Sequence, residues 1–137
     1  VRFLSTRAGG PTTVVPVANT KPEIEFPDGP APDSLVIEDL IVGDGAEAVP
    51  GGNVTVHYVG VEYDTGDEFD SSWNRGETIE FPLRGLIQGW QDGIPGMRVG
   101  GRRKLTIPPA QAYGPAGGGH RLSGKTLIFV IDLVDAR

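Results

Sequence analysis

Residues 69–76, FDSSWNRG, set an aromatic, Phe69, directly before a carboxylate, Asp70, and bring an arginine, Arg75, five places later. Why would a chain keep an acid beside an apolar ring with an arginine within reach? The common catalytic devices do not explain it. Only His57 and His120 could serve a nucleophile as base, and no serine sits in a G-x-S-x-G turn. The acids of DTGDEFD (64–70) miss the spacing of a calcium loop, and nothing favours a two-carboxylate hydrolase. The chain has no cysteine, which excludes disulfides, thiolate catalysis and cysteine-bound zinc. GPAGGG (114–119) lacks the order of a phosphate cradle and reads as a mobile loop. Neither a metal nor a cofactor is implied.

What remains is a supply of aromatics among turns: Tyr58, Phe69, Phe81, Trp90, Tyr113 and Phe129. Each alone is explained by a hydrophobic core. Together they could line one rigid apolar pocket with a few polar groups at its rim.

The elements that must position them read mostly as strands. At 137 residues the chain makes one domain with a real core. Its 21 glycines and 12 prolines point to many turns and short elements. Residues 1–33 carry prolines at 11, 16, 22, 27, 30 and 32 and read as a loosely ordered tail, with the folded domain at 34–137. Strands are expected at 35–42, 53–63, a short run ending at Asp70, 78–83, 102–109 and 125–136. In the second, Val54, Val56 and Tyr58 share one face and Thr55, His57 and Val59 the other. One helix is expected in GLIQGWQDGIPGM, with Leu86, Ile87, Trp90 and Ile94 on one face and Gly93 and Pro95 stopping it early. The class is α+β: a curved antiparallel sheet wrapped around one short helix.

A net charge of −6 argues against nucleic acid as a partner. The local run Arg98, Arg102, Arg103 and Lys104 reads as a solvated strand edge. No stretch is apolar for long enough to span a membrane, and no secretory signal is visible, so the cytoplasm is the expected compartment, with a monomer the default for a domain of this size.

The motifs VHYVG, FDSSWNRG, LIQGWQDGIPGM, VGGRRKLTIPP, AYGPAG and TLIFVIDL follow the order and spacing of the FK506-binding-protein (FKBP) type peptidyl-prolyl isomerases. The resemblance covers roughly residues 35 to 135 and implies an FKBP-like fold. It implies an isomerase acting on X-Pro bonds of peptides and unfolded proteins, assisting folding and inhibited by FK506 and rapamycin. It places Trp90 at the pocket floor and Tyr58, Phe69 and Phe129 in its walls. Leu86 and Ile87 would enter just before the helix, the Ile87 N–H binding a ligand carbonyl. Tyr113 would offer its hydroxyl at the rim. Arg75 and the Tyr58 hydroxyl would hold the Asp70 carboxylate, making Tyr58, Asp70 and Tyr113 the catalytic candidates. Ile79 falls where many members have a pocket phenylalanine. HRLSGKTL departs from the family pattern, so Leu122 matches the pocket isoleucine across a one-residue gap, and His120 either lines the rim or faces water. A non-catalytic module that binds proline-containing segments would keep the same pocket. A chaperone is less favoured, since 113–126 leaves no room for an inserted flap domain. Val15-Pro16 in the tail could visit such a cleft.

Overall fold

A computed structural model describes residues 21–24 and 29–137. The Val15-Pro16 expectation lies outside them. Six strands form one antiparallel sheet: β1 (Val36–Ile41), β2 (Asn53–Glu62), β3 (Glu68–Ser71), β4 (Ile79–Pro82), β5 (Arg102–Ile107) and β6 (Leu127–Ala136). The strand order is β1-β5-β6-β2-β3, and β4 also pairs with β2. The ten residues of β2 make this possible. Its first half pairs with β4 (Val56 opposite Ile79, Val54 opposite Phe81) and its second half with β3 (Val59 opposite Ser71, Gly60 opposite Asp70). Two short strands thus share one edge, and the four-residue helix α1 (Ser72–Arg75) lies between them in sequence.

Period-two alternation sends Val54, Val56 and Tyr58 of β2 into the main core with Leu105 and Ile107 of β5 and Leu127, Phe129, Ile131 and Leu133 of β6. The same face receives Trp90 from the second helix, α2 (Gln88–Gly93), and Ile94 from just past its end. A Cβ at Gly89 would lie 2.5 Å from Ile107 Cγ2, so α2 sits closer to β5 than any side chain there would permit. The helix is shorter than its apolar spacing suggests. Leu86 is extended (φ −105°, ψ 171°) and Ile87 is the residue before the first turn, so both approach Trp90 from outside the helix.

The basic run is not a solvated edge. β5 is an interior strand between β1 and β6, and Arg102 and Arg103 are only 5% and 9% exposed. Arg102 Nε donates to both carboxylate oxygens of Asp132 at 2.9 and 3.0 Å, directly across the β5–β6 register. Burial pushes the Asp132 carboxyl above its ordinary range while Arg102 pulls it back. Arg103 donates to Asp39 of β1 at 2.6 Å and to the Gly93 carbonyl at the end of α2 at 2.7 Å, joining edge strand and helix to the sheet. Only Arg98 matches the expectation: it is exposed and pairs loosely with Glu47 at 3.4 Å.

The opposite sheet face is buried as well, at Val59, Val61, Ile128 and Val130. There Trp73 stacks on His57 with ring centroids 3.9 Å apart, and burial holds the His57 imidazole below its usual basicity. The segment before β1 is tied to the domain: the Tyr63 hydroxyl donates to the carbonyls of Gly29 and Pro30 at 3.1 and 3.3 Å, and Lys21 Nζ reaches Glu68 at 2.8 Å.

Candidate active site

Between α2, the ends of β2, β3 and β6, and the loop before β6 lies an open cleft of about 430 Å³. Its floor is Trp90, 4% exposed, which meets three rings edge-on: Tyr58 at 5.3 Å, Phe81 at 5.7 Å and Phe129 at 5.2 Å. Phe69 closes the ring against Phe129 at 5.5 Å, again edge-to-face. This arrangement sets positive ring edges against negative ring faces, which adds orientation to simple apolar burial. It depends on Gly60. A Cβ there would lie 2.6 Å from Phe69 Cζ and 2.8 Å from Phe129 Cε1, so only glycine lets the two phenyl rings meet over β2.

Asp70 stands at the end of β3, on the rim of this cleft. Its Oδ2 accepts from the Tyr58 hydroxyl at 2.6 Å, and its Oδ1 accepts from Arg75 Nη1 at 2.7 Å and from the Ser71 N–H at 2.9 Å. Arg75 Nη2 also donates to the Tyr58 oxygen at 3.0 Å, which closes a three-residue ring of bonds. Helix α1 sets the arginine in place. Ser71 caps it by accepting the Asn74 N–H, and Gly76 ends it in the left-handed region, so one turn separates Asp70 from Arg75. Burial alone would raise the Asp70 pKa, but the Tyr58 hydroxyl, the Arg75 guanidinium and the Ser71 amide outweigh it and hold the carboxyl below its ordinary range. Burial and the Asp70 hydrogen bond push the Tyr58 phenol the other way. Both shifts favour a carboxylate on Asp70 and a phenol on Tyr58 over transfer of the proton between them.

Leu86 and Ile87 line the side toward α2. Gln91 Nε2 donates to the Leu86 carbonyl at 2.7 Å, and the Ile87 carbonyl accepts from the Trp90 and Gln91 amides. The far wall is the loop with Tyr113, His120, Arg121 and Leu122. Tyr113 and His120 stack at 4.1 Å with their planes 9° apart. Leu122 is buried in the core cluster, and His120 lines the cleft.

Of the residues singled out in the sequence, Tyr58, Phe69, Asp70, Leu86, Ile87, Trp90, Tyr113, His120, Leu122 and Phe129 line one cleft, with Arg75 bonded to its acid from behind. Ile79 does not line it. It packs against the core from the first position of β4, opposite Val56, and Phe81, two residues on and on the same face, supplies the ring beside Trp90. Phe81 is among the aromatics the sequence offers for a pocket, and the period of two puts it on the same face as Ile79. Arg121 carried no sequence signal. Among the described residues, no group of three His, Cys, Asp or Glu side chains could hold a metal ion, and no helix is long and apolar enough to cross a membrane.

Fold and site define a class: a small α+β domain whose sheet curves around one helix and presents an aromatic cleft with a pre-paired acid. The model of the FKBP-type peptidyl-prolyl cis-trans isomerases matches residues 45–134. The chain is 71% identical over 116 residues to a probable FK506-binding protein of Corynebacterium glutamicum, covering 85% of this chain and 98% of that one. To an FK506-binding protein of Streptomyces anulatus it is 54% identical over 118 residues, covering 83% and 95%. Among solved structures, the crystal structure of FkpA from Escherichia coli superimposes with a TM-score of 0.69 at 40% identity, over 75% of this chain and 48% of that one. The crystal structure of AtFKBP13 gives a TM-score of 0.66 at 39% identity, over 78% and 96%. The chain belongs to the family of FKBP-type peptidyl-prolyl cis-trans isomerases, and its enzymatic activity is that isomerisation.

Proposed function

We propose that the cleft speeds rotation about X-Pro bonds by binding the twisted amide better than the planar one, and that it does so without proton transfer. Amide resonance sets a barrier of about 18–20 kcal/mol, and before proline the two isomers still exchange only over tens to hundreds of seconds. In the twisted state that resonance is lost and the dipole shrinks. A cleft walled by Tyr58, Phe69, Phe81, Trp90 and Phe129 suits this less polar state, and each ~1.4 kcal/mol of preference for it is tenfold in rate. The observation that carries the reading is the Asp70 carboxylate, held by three donors and below its usual pKa. Such a group orients and polarises. It does not act as a base.

The Ile87 N–H, which meets no acceptor among the described residues, is placed to take a substrate or inhibitor carbonyl beside the Trp90 floor. FK506 and rapamycin compete for the same cleft, and the biological outcome is faster folding of chains limited by proline isomerisation. The test is cis-to-trans conversion of a short X-Pro peptide across a series of enzyme concentrations, with and without FK506. Acceleration that grows with enzyme and is abolished by the drug is expected. Drug binding without acceleration would make the domain a binder of proline-containing segments instead.

A further inference from the structure

The loop wall of the cleft carries charge that the chemistry above does not use. Twelve residues line the cleft, and their only carboxylate, Asp70, is already matched by Arg75. Arg121 lines it too, is exposed, and has no hydrogen-bond or ion-pair partner among the described residues. Next to it His120 is held in one orientation. Its Nδ1 accepts the Leu122 N–H at 3.0 Å, its backbone N–H donates to Ser123 Oγ at 3.1 Å, and its ring stacks on Tyr113. With Nδ1 an acceptor, the neutral ring carries its proton on Nε2, which is left as a donor without a partner among the described residues. Ser123 Oγ donates in turn to the Tyr113 carbonyl at 2.9 Å, so the two donors sit on a closed turn. The mouth of the cleft therefore has one balanced charge pair on the β3–α1 side and one unbalanced cation on the loop side.

We propose that Arg121, with the His120 Nε2–H beside it, makes the enzyme prefer segments in which an aspartate or glutamate flanks the X-Pro bond. This rests on the cleft being the X-Pro site. A carboxylate on the substrate gains an ion pair at the loop wall and meets no opposing free charge, because Asp70 is neutralised where it stands. A lysine or arginine in the same place is disfavoured.

The test uses nuclear magnetic resonance exchange rates on Leu-Pro peptides, which avoids any coupling protease. Glutamate or glutamine is placed in turn at each of the two positions on either side of Leu-Pro. At one position at least, the glutamate peptide should exceed its glutamine twin in kcat/KM by about two- to fivefold at low salt, the scale of an exposed ion pair. The ratio should shrink toward parity as salt screens the pair. Arg121→Gln should abolish it, Arg121→Lys should keep it, and Arg121→Glu should turn the preference toward lysine peptides. Equal rates at all four positions, or a ratio that survives Arg121→Gln, overturns the specificity while leaving the isomerase standing. No acceleration of any peptide, glutamine twins included, overturns both.

Discussion

The two walls of the cleft are built on opposite plans. On the β3–α1 side every charged group is matched. Asp70 takes three donors, Asn74 Nδ2 donates to Glu68 at 2.7 Å, and Lys21 bridges Glu68 and Asn74 at 2.8 and 2.9 Å. Ser72 Oγ, fully buried behind them, accepts the Tyr58 N–H at 2.7 Å and bonds His57 at 2.8 Å. On the loop side the chain turns through Gly114, Gly117, Gly119 and Gly124, all at positive φ, and is closed mainly by backbone bonds such as Gly124 N–H to the Gly114 carbonyl at 2.7 Å. Arg121 on it is exposed and has no hydrogen-bond or ion-pair partner among the described residues. A wall that must fix one carboxylate to a fraction of an ångström is cross-braced by side chains. The wall proposed to read passing segments leaves Arg121 and the His120 Nε2–H without partners among the described residues.

Removing what both walls share should have the largest effect. Trp90→Ala takes away the floor against which Tyr58, Phe81 and Phe129 pack, and thermal melts should show a loss of about 3–5 kcal/mol together with the loss of FK506 binding. Gly60→Ala attacks the braced wall alone. The added methyl must push Phe69 and Phe129 apart, for about 1–3 kcal/mol of overpacking in denaturant titrations, with peptide affinity falling further than stability explains.

Asp70→Asn keeps the shape and removes the charge. Turnover should drop roughly three- to tenfold, a barrier change on the order of 1 kcal/mol, and stability at neutral pH should fall modestly because the ion pair with Arg75 is lost. The same variant sharpens the pH dependence. Because the folded-state pKa of Asp70 is depressed, its contribution to stability is present above the unfolded value and is lost as pH falls through the lower, folded one. The gap between wild type and Asp70→Asn should therefore be constant from neutral pH down to about pH 5 and close only in stronger acid, as followed by chemical denaturation.

The smallest effect belongs to Lys21→Ala. It removes one half-exposed brace and should cost less than about 1 kcal/mol, visible mainly as faster hydrogen exchange at Glu68 to Asn74.

How much of this the sequence shows depends on whether neighbours in space are neighbours in the chain. The alternation of Val54, Val56 and Tyr58 is local, and it reads correctly as a strand with one buried face. So does the proximity of Asp70 and Arg75, five residues apart around one turn. Arg102 and Arg103 mislead because their partners, Asp132 and Asp39, lie 30 and 64 residues away and become neighbours only through sheet order. A buried arginine and an exposed one look alike until the strand beside it is known. Ile79 and Phe81 share one face of β4, which is legible, but which of them reaches Trp90 is set by the sheet and is not. Helix α1 is too short to show a period, and Arg121 lies in a loop where residue type alone says nothing of direction.

The central claim is that the cleft lowers the rotational barrier by its shape and fixed charges, with no proton moved. The direct measurement is the solvent deuterium isotope effect on kcat/KM for an X-Pro peptide, with FK506 added to confirm that the rate comes from the Trp90 cleft. A drug-sensitive rate with an isotope effect close to unity is expected. A drug-sensitive rate that falls about twofold or more in heavy water would mean that a proton moves in the transition state, and Asp70 would then have to be a base after all.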